Sequence, residues 1–154
     1  MVMLIVIAAF FLNFVMSTIG LTDVAVKAVA SLTWKPVYVM LAIVAVYLVL
    51  GCFVETLTLM VATTPIVVPI VKALGYDPVW FGIIFVILIE LALITPPIGM
   101  NLFVVQSVRG GGRFKDIVVG SLPFAAAMLL MIGLLMLFPQ IAMWLPDLYA
   151  SGKR

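Results

Sequence analysis

The sequence predicts an all-α integral membrane protein with interrupted spans, and three observations lead there. Hydrophobic residues make up 67% of the 154-residue chain and charged residues 9%, with a mean hydropathy of +1.43. No soluble domain hides that much apolar surface. Several apolar runs approach or exceed the ~20 residues that a helix needs to cross the hydrocarbon core. Finally, the run over residues 79–105 carries Thr95-Pro96-Pro97-Ile98-Gly99-Met100-Asn101 in its middle. Both prolines lack an N–H and crowd the carbonyls one turn back. Each also biases the residue before it toward extended geometry.

A break at membrane depth persists only where protein or a water-filled cavity satisfies the freed carbonyls. Broken helices of this kind expose backbone groups to ions and solutes near the bilayer midplane. A kink that only shapes packing is the bland alternative, and it is common for single prolines. Two prolines with Gly99, Thr95 and Asn101, and Glu90 a turn and a half upstream, favour a site.

Composition also excludes function classes. The formal charge of +2 is small and scattered, so no nucleic-acid partner is expected. There is no histidine, and the lone Cys52 excludes an internal disulfide and a Cys/His metal cluster. Cys52 sits in apolar sequence and reads as a small packing residue. No nucleophile–base pair and no phosphate loop is visible, so neither enzyme activity nor a cofactor is expected.

Residues 1–16 lack a basic leader and a small-residue cleavage site, so they read as a transmembrane helix and not a signal peptide. This helix begins abruptly, without a polar flank, as in a cut chain. Residues 17–35 read as an interfacial amphipathic helix. Asp23 and Lys27 lie four apart and could pair, Val24, Ala28 and Leu32 fall on another side, and Trp34 and Lys35 anchor at the headgroups.

Residues 36–74 carry one charge before Lys72, namely Glu55, flanked by Gly51, Thr56 and Thr58. Two full spans of ~20 residues plus a loop need more chain than this, and Pro65 and Pro69 are expected to disrupt the second half. A re-entrant helical hairpin with its tip at 51–58 fits better than two tightly joined spans. Residues 79–105 form the broken transmembrane helix. The loop over 107–116 holds Arg109, Arg113 and Lys115, the densest positive cluster, which places it in the cytoplasm. Residues 117–145 cross back, with Pro139 near the far end and Trp144 and Tyr149 at the interface. Residues 17–35, 72–78 and the tail with Lys153 and Arg154 then lie outside.

Carboxylates inside a membrane are functional candidates by default. No lysine or arginine inside residues 36–71 or 79–105 neutralises Glu55 or Glu90. They pair with backbone and hydroxyl donors, carry a proton, or hold a cation. Carboxylate, carbonyl and hydroxyl oxygens suit a hard ion such as Na⁺.

Several segments occur in a telling order: Gly51-Cys52-Phe53-Val54-Glu55, Thr64-Pro65-Ile66-Val67-Val68-Pro69, Leu74-Gly75-Tyr76-Asp77-Pro78, Phe81-Gly82-Ile83, Glu90, and Thr95 through Val104. Leu122-Pro123-Phe124 and Phe138-Pro139 continue the series. The set resembles the C-terminal part of the large membrane subunit (DctM-like permease) of tripartite ATP-independent periplasmic, or TRAP, transporters. The resemblance implies a multi-pass secondary transporter of the bacterial inner membrane. Its partners are a small membrane subunit and a periplasmic substrate-binding protein, and it typically imports organic anions such as carboxylates with Na⁺ as coupling ion.

The implied fold is the second half of an inverted-repeat transporter, with a re-entrant helical hairpin and a broken transmembrane helix. By resemblance, Gly51, Glu55, Thr56, Thr95 and Gly99 frame a Na⁺ site, and Glu90, Thr95, Pro96, Pro97 and Asn101 contact substrate. Leu88 and Ala92 depart from the asparagine and glycine that the family often has there. The missing N-terminal half, with its own hairpin and break, makes this chain look like a fragment that does not transport alone. The implied mechanism is an elevator-like movement of hairpin and broken helix as one body. The rival reading is a non-transporting membrane anchor or assembly subunit, in which the prolines are packing kinks and Glu55 and Glu90 pair with a partner's basic residues.

Overall fold

Prolines and short acidic caps divide the apolar runs into helices. The computed structural model describes residues 2–31, 34–96 and 99–151. Among these, regular structure is helical throughout: α1 (Val2–Ile19), α2 (Leu21–Ser31), α3 (Pro36–Gly51), α4 (Thr56–Ala73), α5 (Pro78–Ile94), α6 (Met100–Arg109), α7 (Phe114–Leu137) and α8 (Gln140–Ser151). Pro36 and Pro78 stand at the first helical positions of α3 and α5, where a missing N–H costs nothing. Asp77 caps α5, its carboxylate accepting from the N–H of Val79 at 2.7 Å.

Residues 17–35 do not form one helix. Gly20, at φ 72°, separates α1 from α2, and the two helices bend by 68°. That left-handed conformation is open to glycine and strained for most other residues. Asp23 and Lys27 make no ion pair, and the pair found among the described residues is Arg113–Asp116 at 3.3 Å. Leu32, Lys153 and Arg154 lie outside the described residues.

Pro65 and Pro69 do not interrupt α4, contrary to expectation. They remove the N–H partners of the Val61 and Pro65 carbonyls, yet the helix continues. Just before the first proline, the Tyr47 hydroxyl of α3 donates to Thr63 Oγ1 at 2.5 Å. Thr63 and Thr64 in turn donate back to the Leu59 and Met60 carbonyls at 2.6 and 2.5 Å.

α5 is the centre of the molecule. Trp80, Phe81, Ile84, Phe85, Leu88, Ile89, Leu91 and Ala92 are buried along one broad face, while Val79, Val86 and Glu90 stand exposed on the opposite side. It packs against α3, α4, α6, α7 and α8. Trp80 Nε1 donates to the Leu135 carbonyl of α7 at 2.9 Å, and Tyr47 meets Phe85 edge-on with ring centroids 4.8 Å apart.

α4 and α7 are each long and apolar enough to cross a membrane, and the bent α1–α2 pair makes a third candidate span. α3 and α5, at 16 and 17 residues, extend about 24–26 Å, short of the ~30 Å hydrocarbon core. Phe138 and Pro139 separate α7 from α8, so the stretch expected as one span over 117–145 is shared between two helices. Large apolar side chains of α1, including Met3, Ile7, Phe10 and Phe14, stand exposed. Faces of this kind belong against lipid or another helix.

Candidate functional site

The break expected within residues 79–105 lies between Ile94, where α5 ends, and Met100, where α6 begins. Its chemistry follows from the two prolines. In a continuous helix the carbonyls of Ala92 and Leu93 would accept from residues 96 and 97, and neither has an N–H. The chain compensates in part. Thr95 N donates to the Ala92 carbonyl at 3.3 Å, and the Thr95 hydroxyl donates to the Leu91 carbonyl at 2.6 Å. Ser121 Oγ of α7 lies 3.5 Å from the Ile94 carbonyl.

Gly99 closes the break. It caps α6 at φ 43°, ψ 84° and is buried. A Cβ there would lie 3.0 Å from the Thr95 carbonyl oxygen and 3.1 Å from that of Leu93. Gly99 thus brings two carbonyl oxygens from the negative end of α5 toward one point, at an end where the helix dipole favours a cation.

The hairpin tip packs directly on this break. α3 ends at Gly51, and a Cβ on Gly51 would stand only 2.5 Å from the Cβ of Ala92. Cys52, 3% exposed, has its Sγ 3.5 Å from the Thr95 carbonyl and 3.8 Å from that of Ala92. Ala92, where the family often has glycine, does not prevent close helix approach, because Gly51 supplies the room. Leu88 is fully buried in the apolar core.

Glu55 has a defined local role. It is the N-cap of α4: its carboxylate accepts from the N–H groups of Leu57 and Thr58 and from the Thr58 hydroxyl, each at 3.0 Å. The side chain is otherwise exposed. Thr56 is half-buried in the first turn of α4.

The expected substrate residues are less gathered. Glu90 is exposed on α5 and has no ion pair among the described residues. Pro96 is exposed, and Pro97 lies outside the described residues. Asn101 turns toward α7 and lines a cleft of about 350 Å³ with Arg109, Ser121 and Phe124. The structure therefore joins Gly51, Thr95 and Gly99, while Glu90 and Asn101 stand apart from that junction.

A cavity of about 660 Å³ elsewhere was not foreseen. It lies between the α1–α2 bend and the proline-bearing wall of α4, and Asn13, Ser17, Asp23, Thr64 and Pro65 are among its lining residues. Among the described residues no cluster of histidine, cysteine, aspartate and glutamate could hold a metal through three such ligands. The oxygens that the break presents are carbonyls and a hydroxyl, donors that suit a hard cation and not a soft transition metal.

An apolar, all-helical chain with a hairpin tip seated on a proline-broken helix has the parts of a membrane permease. The chain belongs to the family of the DctM component of tripartite ATP-independent periplasmic transporters, whose family model matches residues 1–141. That family is one of transporters, not of enzymes. The sialic acid TRAP transporter large permease protein SiaM of Vibrio cholerae is 36% identical over 115 residues, which cover 75% of this chain and 27% of that protein. The C4-dicarboxylate TRAP transporter large permease protein DctM of the same organism is 32% identical over 148 residues, 96% of this chain and 32% of its own length. The isethionate TRAP transporter permease protein DctMQ of Oleidesulfovibrio alaskensis is 36% identical over 118 residues, covering 77% and 18%. The chain thus spans a third or less of the length of each of these relatives.

Proposed function

We propose that this chain is the ion- and substrate-handling second half of a large TRAP permease, which takes up organic anions together with Na⁺ across the bacterial inner membrane. The observation that carries the reading is the seating of Gly51 and Cys52 on Ala92 and Thr95, beside the carbonyls that Pro96 and Pro97 leave without helical donors. Such a junction offers oxygen ligands at the negative end of α5. Residues 36–74 act as a re-entrant hairpin, and its tip and the break move together.

Na⁺ is the coupling ion in this reading. Thr95 contributes its carbonyl and the free lone pairs of its hydroxyl, and Gly99 allows the chain to close on them. Glu55 orders the tip by capping α4 and adds negative charge nearby. Glu90, Pro96 and Asn101 face the substrate path. The relatives' names speak of sialic acid, a C4-dicarboxylate and isethionate, which supports an organic acid as substrate.

The partners are a periplasmic binding protein, a small membrane subunit and the remainder of the large subunit. This chain covers only 18% of the permease named DctMQ, against 27% and 32% of the other two, which fits a second component joined within that one chain. Coupling requires only that the outward and inward states differ in Na⁺ affinity.

The test is uptake by proteoliposomes holding the full-length permease, its small subunit and its binding protein. An imposed Na⁺ gradient should drive accumulation, and a pH gradient without Na⁺ should not. Accumulation that follows the pH gradient and ignores Na⁺ would replace Na⁺ by a proton in this reading.

A further inference from the structure

Cys52 reads as a small packing residue in the sequence and Ala92 as a departure from a family glycine, yet both stand where the hairpin tip meets the helix break. Ala92 is fully buried, and its Cβ is fixed by the backbone of α5. A Cβ on Gly51 would lie 2.5 Å from it and 3.6 Å from Leu59 Cδ2. Leu59 can swing a methyl aside, but an alanine Cβ has no torsion with which to yield. Gly51 and Ala92 are therefore a matched pair, with room for one Cβ between them.

Cys52 fixes the same junction from one residue further along. Its thiol lies 3.1 Å from the Leu48 carbonyl in the last turns of α3, and 3.8 and 3.5 Å from the Ala92 and Thr95 carbonyls of α5. One weak S–H donor thus sits among three carbonyls from both sides of the contact. One of these, on Ala92, lost its helical donor to Pro96. Another, on Thr95, also faces Gly99.

We propose that Gly51, Cys52 and Ala92 form a latch that sets the spacing and register of the hairpin tip against the helix break. In doing so they position the Thr95 carbonyl without being ion ligands. The purpose of the latch rests on the Na⁺ reading above. The contact itself does not, and can be measured without any ion.

The experiment uses the complete transporter in membranes. N-ethylmaleimide labelling of the Cys52-containing peptide, followed by mass spectrometry, reports whether the latch is closed. Uptake against Na⁺ concentration reports what it does. Gly51→Ala should speed labelling about tenfold, as overpacking pries the junction open. The same variant should raise the half-saturating Na⁺ concentration. Gly51→Ala with Ala92→Gly moves the single Cβ to the other side. Both readouts should return to within about twofold of wild type, the coupling expected of residues in contact.

Cys52→Ser keeps a donor and should leave the half-saturating Na⁺ concentration within about twofold, whereas Cys52→Ala should raise it about threefold. Unchanged labelling and uptake in Gly51→Ala would overturn the latch. So would a double variant no better than the single one in expression, protection and uptake, because a matched pair must rescue. Restored protection in a transporter whose wild-type uptake ignores Na⁺ would support the latch and overturn the ion reading.

Discussion

Gly99 takes a backbone conformation that few side chains share, and the space where its Cβ would go is held by two carbonyls and a Leu102 methyl. Gly99→Val therefore meets strain and crowding together, at a cost of about 1–3 kcal/mol. It should lower the thermal midpoint of the purified permease and abolish uptake, with Gly99→Ala intermediate. Thermal unfolding followed by tryptophan fluorescence, with uptake alongside, checks this; a valine variant as stable and active as wild type contradicts the geometry. Glu90 is exposed and free of ion pairs among the described residues. Glu90→Gln should express normally and change the cation or pH dependence of uptake. Uptake identical to wild type across both titrations would remove Glu90 from the transport pathway.

Legibility at this scale followed how local the chemistry is. The missing N–H groups of Pro96 and Pro97 act within one turn, so the break could be read from residues 95–101 alone. For Glu55 the sequence leaves pairing with backbone and hydroxyl donors open beside a proton or a cation, and the structure shows that pairing. Its place as the cap of α4 is not legible, because the usual cap residues are serine, threonine, aspartate and asparagine. Cys52 gave no signal beyond packing, since an apolar residue in an apolar run looks the same whether it fills space or sets a junction, and Ala92 stood out only as a departure from the family's usual glycine.

Among elements, the hairpin makes the sharpest predictions. In a Cys52→Ser background, a cysteine at Val54 near the tip should be shielded from membrane-impermeant maleimide on both faces, or reached only through a cavity. Free labelling from the cytoplasm would mean that α3 and α4 are two full spans. Cysteine at Gly111, in the basic loop between α6 and α7, should label only from the cytoplasm, and cysteine at Asp77 only from outside. Periplasmic labelling at Gly111 would reverse the orientation.

Local signals failed where tertiary support mattered. Pro65 and Pro69 looked like breaks, but α4 runs through both, with Tyr47 of α3 bonded to Thr63 just before them. The cavity beside Asn13, Ser17 and Asp23 arises only when the bend at Gly20 meets α4. Spacing along one helix cannot show it.

At the scale of the molecule, α5 supplies much of the buried core from one broad face, while α1 presents apolar side chains outward. Helix association in lipid draws on packing and polar contacts more than on hydrophobicity, so such faces can await another subunit without collapsing. This chain covers about a third or less of the relatives it matches. Expressed alone, the 154-residue chain should show no Na⁺-driven uptake, and co-expression with the rest of a large permease and its partners should restore it. Uptake by the isolated chain would contradict a site shared between two halves. The anchor reading is weakened at Glu55, whose carboxylate is already engaged by its own helix.

The central claim is that the junction of hairpin tip and helix break holds the coupling ion. Its most direct test is the Na⁺ concentration dependence of uptake by the reconstituted complete transporter, wild type against Thr95→Val. Valine keeps the shape of threonine and removes the hydroxyl, which in the structure donates to Leu91 and leaves its lone pairs open to an ion. At equal expression and thermal stability, the half-saturating Na⁺ concentration should rise about tenfold, the equivalent of losing one charge-assisted contact. A Thr95→Val transporter with the Na⁺ dependence of wild type would contradict ion binding at the break.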